Sequence, residues 1–425
     1  MQLTDRLTLE QVLETAVSRS PLIQAAAARV DAARGSRRTA GALPNPVLTY
    51  QVENTAFPGQ DLPTGFDRET SFFGTLPLEP LYQRRPLMSR AAQGVRAADA
   101  DLTAARRQVG LDAARAFYRL ALAQIAVGGA EDIRRRLASV ASLNRSRVRE
   151  GTAAEADLIR VDVEVDRAEA EAVSERIELG RAWAELKPFI DSSLAADAVG
   201  SRPRGVEVDE AAERISSRLA PLSDFIAQAR RSRPDLAAAR ARVGAARAEA
   251  SFQRALTVRQ VGATFGNKRI AGVNTMILGV SLPIPLFDRN RGEIQRATGE
   301  RIAAERELEW SERLAVADVE AAYEAARLLR DQVNKLQGTF LQRAEESRRI
   351  TLAAYEEGAV SLLQVLDASR TLAEARLTYY RTIFAGRESL LELNVAVGLD
   401  PTAAADIPKP RAAAASTSLI TGDSR

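Results

Sequence analysis

Residues 355–380 read YEEGAVSLLQVLDASRTLAEARLTYY, with one glycine, Gly358, between two helical patterns. A glycine with almost no linker around it is typical of a tight turn after a helix, because glycine readily adopts the left-handed conformation that such turns need. Residues 148–171, VREGTAAEADLIRVDVEVDRAEAE, repeat the same order around Gly151: Glu-Gly, a few small residues, then a helix. The two stretches predict two helical hairpins, each folded back at a glycine.

An internal duplication is predicted from landmarks that recur in the same order. They lie 213, 205 and 207 residues apart: Pro21 and Pro234, Tyr118 and Tyr323, Gly151 and Gly358. Small drifts of this kind are what differences in loop length produce. We therefore expect a first repeat over residues 8–190, a linker over 191–221, a second repeat over 222–400 and a flexible tail over 401–425.

Each repeat has the same predicted plan of two helices, two short strands and a long helical hairpin. Thr8 and Gln11 fit a capping box, and Pro21 suits the first position of the next helix. Apolar and polar residues then alternate over residues 46–55 and 69–78, and again over 260–265 and 275–282, which predicts four strands. No proline interrupts residues 87–187 or 286–400. We expect helical arms of about 60 residues, roughly 90 Å at 1.5 Å per residue.

The last arm carries a stripe that suits close helix packing, because its residues are apolar or small and recur every three or four positions. The stripe contains Val365, Ala368, Leu372, Ala375, Tyr379 and Ile383.

Composition excludes several functional classes. The chain has 425 residues, no Cys and no His, and 59 basic against 56 acidic residues. Disulfides, thiolate or imidazole metal sites and Ser-His-Asp catalysis are therefore ruled out or very unfavourable, and the charge balance gives no reason to expect nucleic acid. No Walker loop, dinucleotide fingerprint or paired nucleophile and base occurs, so we predict no enzyme, no cofactor and no resident metal. The start, MQLTDRLTLEQ, lacks a signal-peptide core, which fits a cytoplasmic chain or a mature chain without its leader.

The four predicted strands are too few for a separate stable sheet, yet each has one apolar and one more polar face. This pattern is typical of a transmembrane barrel wall with lipid outside and water inside. Four strands cannot enclose an aqueous pore, whereas three chains would supply twelve and leave no open edge. Two soluble hairpins packed on helices remain the alternative.

Over residues 8–400 the sequence resembles the TolC family of outer-membrane efflux factors. The resemblance is carried by residues 355–380 with LNVAVGLDP after them, by VREGTAAEADL, and by the strand-to-helix passages SLPIPLFDRNRG and TLPLEPLYQRRP. The passage AGALPNPVLTYQVEN is similar to the branch that serves cobalt, zinc and cadmium efflux. Many members of that branch carry an N-terminal lipid on a cysteine, a residue this chain lacks.

The resemblance implies a mostly α-helical fold with a small β part. It implies a homotrimer, with long antiparallel hairpins in a periplasmic α-barrel and four strands per chain in a twelve-stranded barrel in outer-membrane lipid. A periplasmic adaptor protein and an inner-membrane resistance-nodulation-division pump would be the partners. The function would be passive export, as the exit duct of a tripartite system for heavy-metal cations.

The resemblance also implies roles for particular residues. The hairpin tips that meet the adaptor would be Arg149, Glu150, Gly151, Thr152, Tyr355, Glu357, Gly358 and Ala359. Asp157 and Asp367 would ring the channel entrance, where three carboxylates around an axis select cations. Gln364 stands where some relatives carry a second aspartate, and Val360 where some carry an arginine that locks the tip. Either a closed entrance would need other contacts in this chain, or the resting channel would be less tightly shut.

Two other functions remain open from the sequence. A duct of the same family could export organic drugs or secreted proteins, since a lack of His and Cys suits either cargo. A soluble coiled-coil scaffold that binds partner helices would explain the hairpins without a barrel.

Overall fold

The computed structural model describes residues 6–61, 63–152, 154–190, 205–207, 219–357 and 359–400. Of the sequence predictions, the turn residue Gly358 and the tail 401–425 lie outside this part of the chain, as does most of the linker 191–221.

The first half runs from two short helices through two strands into a long helical hairpin. Its elements are β1 (Arg6–Leu7), α1 (Leu9–Arg19), α2 (Pro21–Gly41), β2 (Val47–Glu53), β3 (Glu69–Pro77), α3 (Pro80–Arg149) and α4 (Glu155–Leu186), then a 3-10 helix, Lys187–Phe189.

The second half follows the same order of helices and strands. Its elements are β4 (Gly205–Val206), α5 (Leu222–Ser232), α6 (Pro234–Ala255), β5 (Gly262–Ile270), β6 (Val273–Ser281), α7 (Arg291–Glu356) and α8 (Leu362–Ala396). The mostly α-helical fold with a small β part is confirmed. The repeat boundaries 8–190 and 222–400 remain our proposal, which this shared order supports.

The helix starts follow the sequence signals. Thr8 Oγ1 accepts a hydrogen bond from the Gln11 backbone N–H at 3.3 Å, and Gln11 Oε1 accepts from the Thr8 N–H at 3.1 Å, which completes the predicted capping box. Pro21 and Pro234 each open a helix, where a missing N–H costs little.

The hairpin arms are unequal, and the expectation of about 60 residues for every arm was wrong for the returning helices. The outgoing helices α3 and α7 have 70 and 66 residues, whereas α4 and α8 have 32 and 35. Pro188 lies in the 3-10 helix that follows α4, since proline cannot continue the α-helical bonding. Pro86, by contrast, lies inside α3, where it lacks the N–H that would otherwise bond to the Tyr82 carbonyl.

The four predicted strands form one antiparallel sheet in the order β2-β3-β5-β6. The central pairing, β3 with β5, joins the hairpins of the two halves, with Gly74 opposite Phe265. β5 and β6 are connected by Ala271 and Gly272, both at positive φ, as a two-residue hairpin turn requires. Separately, β1 and β4 pair in parallel over two residues.

Contacts divide the chain into two compact units, and each takes segments from both halves. Unit 1 comprises Met1–Pro21, Arg106–Arg233 and Ala315–Arg425, and unit 2 comprises Leu22–Ala105 and Pro234–Leu314.

Unit 1 contains a core cluster next to the joint between α5 and α6. The cluster consists of Ala229, Val319, Ala326, Leu393 and Val397, all nearly inaccessible to solvent. At the joint, Ser232 donates to the Val397 carbonyl at 2.6 Å, and Arg233 donates to the Ala396 carbonyl at 3.1 Å and pairs with Asp318 at 3.0 Å. These bonds satisfy the carbonyls at the end of α8, which have no partners within the helix.

Unit 2 contains the sheet and the helix ends attached to it. Asn290, just before α7, is 4% exposed and donates to the Gln253 carbonyl at 2.7 Å. Tyr82 donates to the Val258 carbonyl at 2.9 Å. Within the described residues, none of the helices has an apolar stretch long enough to cross a bilayer.

Candidate functional site

The turn after α3 has the geometry that its glycine predicts. Gly151 has φ of +70°, and its N–H donates to the Val148 carbonyl at 3.0 Å. The Thr152 N–H donates to the Arg147 carbonyl at 2.9 Å, and its hydroxyl donates to the same carbonyl at 3.0 Å. This pair of backbone bonds is a Schellman motif, which ends a helix and satisfies its last carbonyls.

The turn after α7 repeats the bond that spans five residues, the counterpart of the one from Thr152 to Arg147. The Ala359 N–H donates to the Ala354 carbonyl at 2.8 Å, and the Glu357 N–H donates to the Ala353 carbonyl at 3.2 Å. Gly358 itself is outside the described residues, so its predicted turn conformation stays a prediction. The structure therefore supports a similar helix ending at both hairpins.

The predicted tip residues that the structure describes fall at these two turns. In the first, Arg149 is the last residue of α3, and its guanidinium donates to the Arg145 carbonyl at 3.3 Å. Glu150, Gly151 and Thr152 follow it and are exposed.

In the second turn, Tyr355 lies in the last helical turn of α7, while Glu357 and Ala359 are exposed between α7 and α8. The side chains of the two turns are accessible, as a contact surface for another protein requires.

The three predicted entrance residues lie near the starts of the returning helices. Asp157 falls in the first turn of α4, and Asp367 is exposed in the second turn of α8. Gln364 uses its side-chain oxygen locally, accepting from the N–H of the N-cap residue Ser361 at 3.0 Å. This bond gives Gln364 a capping role that the sequence analysis did not foresee.

An ion pair between α4 and α8 lies close to these residues and was missed by the sequence analysis. Arg370 donates to Glu164, and the side chains are 36% and 29% exposed. Arg370 is one helical turn beyond Asp367, so the pair ties the two returning helices together near the predicted entrance. The residues are 206 apart in sequence, within the offsets that relate the landmarks of the two halves. That offset was the available signal.

The residues of α3 and α4 that contact each other lie farther and farther from the Gly151 turn in both helices, which is the pattern of an antiparallel hairpin. Arg145 pairs with Asp162 at 2.6 Å, close to the turn. Farther along, Leu137 packs on Ala168, and Glu131 pairs with Arg176 at 3.1 Å.

One carboxyl of this hairpin has a shifted pKa. Partial burial by itself raises the pKa of Asp132, but hydrogen bonds from Arg136 at 2.8 Å and Arg135 at 3.5 Å outweigh it. The pKa of Asp132 is therefore held below its ordinary value. Across the described part of the chain, no group of three or more acidic side chains is arranged to hold a metal ion.

Comparison with known proteins identifies the family. A profile of the outer membrane efflux protein family matches residues 12–190 and 225–398. The cobalt-zinc-cadmium resistance protein CzcC of Cupriavidus metallidurans is 28% identical over 378 residues, covering 88% of this chain and 85% of that protein.

Solved structures show the same fold at lower identity. The CmeC outer membrane channel of Campylobacter jejuni has a TM-score of 0.76 and 15% identity, over 92% of this chain and 85% of that one. A membrane protein from Pseudomonas aeruginosa has a TM-score of 0.75 and 21% identity, over 92% and 90% of the two chains. The chain thus belongs to the outer membrane efflux protein family, a family of outer-membrane channels reaching into the periplasm and not of enzymes.

Proposed function

We propose that this chain is the exit duct of a tripartite efflux system for heavy-metal cations. The observation that carries the proposal is its similarity to a cobalt-zinc-cadmium resistance protein over 88% of its length. The duct performs no chemistry, and an inner-membrane pump of the resistance-nodulation-division type supplies the energy. A soluble scaffold does not fit membership of an outer-membrane family.

The proposed assembly is a homotrimer whose sheets close into one twelve-stranded barrel in outer-membrane lipid. The sheet of a single chain leaves large apolar side chains open to solvent, with Tyr50 65%, Met276 75% and Val280 75% exposed. Burying such a face in lipid removes it from water, and closing the sheet with two further copies pairs its two free edges.

The proposed adaptor contact is formed by the two hairpin tips. Their exposed side chains include Glu150, Thr152, Glu357 and Ala359. Both outgoing helices end with a backbone bond of the same span, from Thr152 to Arg147 and from Ala359 to Ala354, which supports one adaptor surface being used twice per chain. Asp157 and Asp367 are the proposed entrance ring, with the neutral Gln364 beside them.

The assembly is tested first by size and location. Expressed with a secretory leader, the protein should fractionate with the outer membrane and show three times the chain mass of 46.0 kDa in detergent. A monomer in the soluble periplasmic fraction would refute the duct.

Cargo is tested in a host that lacks the duct of a cobalt-zinc-cadmium system but keeps its adaptor and pump. The protein should restore growth in zinc, cobalt or cadmium salts. Restoration of resistance to organic drugs alone, in a host that lacks a drug-export duct, would transfer the proposal to organic cargo.

The tips and the entrance are tested by charge substitutions. Glu150→Lys and Glu357→Lys should abolish chemical cross-linking to the adaptor, whereas the control Glu14→Lys, on an exposed face of α1, should not. Asp157→Asn with Asp367→Asn should weaken the cation preference of the reconstituted channel. An unchanged preference would remove both residues from the proposed ring.

A further inference from the structure

The register of the sheet separates its side chains into two faces. One face carries most of the large exposed apolar residues: Leu48, Tyr50, Phe72, Leu76, Phe265, Met276, Leu278 and Val280. The other face is more polar, with Thr49, Gln51, Glu53, Glu69, Ser71, Thr75, Thr264, Lys268 and Thr275 beside a smaller number of apolar residues such as Val47, Phe73 and Ile277. In a membrane barrel the apolar face contacts lipid and the polar face lines the water-filled lumen.

Three charged side chains from three different strands meet on the polar face. Lys268 of β5 forms an ion pair with Glu69 of β3, and its Nζ lies 3.9 Å from Glu53 Oε2 of β2. Gln51 donates to the other oxygen of Glu53 at 2.8 Å. The register accounts for the meeting, because Glu53 pairs directly with Glu69 and Lys268 lies opposite Ser71, two residues along the same face.

The triad of Glu53, Glu69 and Lys268 lies at the end of the sheet away from the attached helices. Glu53 is the last residue of β2 and Glu69 the first of β3, so both border the loop that connects these strands. The helices leave the sheet at its opposite end, where β2 begins and β3 ends. If the helices extend into the periplasm, the triad lies near the outer mouth of the duct.

The triad leaves an excess of negative charge on this face. The four strands contain four charged residues: Glu53, Glu69, Lys268 and Arg269. Arg269 lies on the apolar face, opposite Thr70. Lys268 neutralises one of the two carboxylates. One net negative charge therefore remains per chain on the polar face, and three in a trimer.

We infer that Glu53, Glu69 and Lys268 form a charge ring that favours cations at the outer mouth of the duct. The inference rests on the proposed trimeric duct and adds a second selective position, far in sequence from Asp157 and Asp367. Rings of carboxylates select cations in channels because their field concentrates counter-ions in a narrow water-filled passage. Lys268 sets the strength of the ring by cancelling half of its carboxylates.

The test is the cation-to-anion permeability ratio, measured from reversal potentials of the reconstituted channel under a potassium chloride gradient. Lys268→Gln takes the ring from three to six negative charges, and Glu53→Gln takes it to zero. Each substitution thus changes the ring by three charges. At about one Debye length from the axis, roughly 10 Å in 0.1 M salt, that change should alter the permeability ratio about two- to fivefold. The ratio should rise for Lys268→Gln and fall for Glu53→Gln.

Two controls separate charge from structure. Arg269→Gln removes a positive charge from the neighbouring residue on the apolar face and should leave the ratio unchanged. The exchange Glu69→Lys with Lys268→Glu keeps the net charge and the ion pair, so the ratio should stay near that of the unaltered channel. Glu53→Gln leaves the Lys268–Glu69 pair intact, so it remains informative if Lys268→Gln does not assemble.

The results distinguish this inference from the proposed function. An unaltered protein that forms trimers and conducts, but whose ratio does not respond to Glu53→Gln or Lys268→Gln, overturns the charge ring alone. An unaltered protein that neither trimerises nor conducts overturns the duct, and the ring with it. An equal effect of Arg269→Gln would also overturn the ring, because it would show that the face of the sheet is irrelevant.

Discussion

Replacing Gly398 with alanine should lower the free energy of unfolding of unit 1 more than the same replacement at Gly151, the other glycine of that unit with positive φ among the described residues. Gly398 ends α8 with φ of +82°, and its N–H donates to the Val395 carbonyl at 2.9 Å. A Cβ built on it would lie 2.5 Å from the Ser232 carbonyl oxygen and 2.7 Å from the Arg233 backbone nitrogen. Both atoms belong to the backbone at the joint of α5 and α6, so neither can move aside as a side-chain tip would.

Two other glycines separate the contributions to this effect. Gly151 also has positive φ, at +70°, but a Cβ there would meet nothing within 4 Å. Gly180 lies inside α4, and a Cβ there would likewise meet nothing within 4 Å. Gly151→Ala therefore measures backbone strain alone, and Gly180→Ala measures helix propensity alone.

The expected free energies follow from these environments. Gly180→Ala should stabilise by about 0.5–1 kcal/mol, because alanine loses less backbone entropy in a helix. Gly151→Ala should cost about 1 kcal/mol, since a left-handed cost of roughly 1–2 kcal/mol is partly offset in the unfolded chain. Gly398→Ala should cost about 2–4 kcal/mol, because overpacking against fixed atoms adds roughly 1–3 kcal/mol to the same strain.

The assay is thermal unfolding of the detergent-solubilised protein, followed by far-ultraviolet circular dichroism because the long helices dominate the signal. The midpoints should rank Gly180→Ala highest, then the unaltered protein, then Gly151→Ala, with Gly398→Ala lowest. Equal midpoints for Gly398→Ala and Gly151→Ala would refute the close approach of the α8 end to Ser232, and a rise for Gly398→Ala would refute the positive φ as well.

Three further predictions concern the sheet and the first and second hairpins. Gly266→Ala should prevent normal pairing of β3 and β5, because a Cβ at this position would collide with the Phe72 carbonyl oxygen. Trimer yield on native gels measures this, and a normal yield would contradict the register. A double-mutant cycle with Arg370→Ala and Glu164→Ala should give a coupling of about 0.5–1 kcal/mol in thermal stability, and zero coupling would mean that the pair does not hold the helices together. Because the pKa of Asp132 is lowered in the folded protein, its contribution to stability should be complete above the ordinary carboxyl range and should be lost as pH falls through the folded pKa. Asp132→Asn should therefore cost up to about 1 kcal/mol of unfolding free energy at neutral pH and nothing in strong acid. Thermal melts of both proteins across pH measure this difference.

Local signals in the sequence predicted much of the fold. The alternation around Tyr50 and Phe265 located β2 and β5, because a strand with one lipid-facing or core-facing side repeats every two residues. Thr8 and Pro21 predicted helix starts for equally local reasons, since a cap bond or a missing N–H depends only on residues a few positions away. Gly151 predicted a turn, and its left-handed φ confirms the reason.

Interactions between distant segments were not predictable in this way. The pairing of β3 with β5 depends on which hairpin edges meet, and the alternation within each strand says nothing about that. The need for glycine at position 266 follows only from the close approach of Phe73, which belongs to the other half. The pair of Arg370 with Glu164 required knowing that corresponding positions of the two halves lie side by side, which the repeat offset suggested but did not establish.

The proposed entrance illustrates why matching a family position does not fix a residue's role. The resemblance places Gln364 where some relatives carry aspartate, and in the structure its side chain accepts a bond from the N–H of Ser361, the N-cap of its own helix. A glutamate carboxylate could accept the same bond, so this cap is compatible with a neutral or a charged side chain of this length. The fold therefore does not fix the charge at position 364. The carboxylates at residues 157 and 367, and those at residues 53 and 69 with the lysine at 268, are accordingly where we expect the preference for cations to reside.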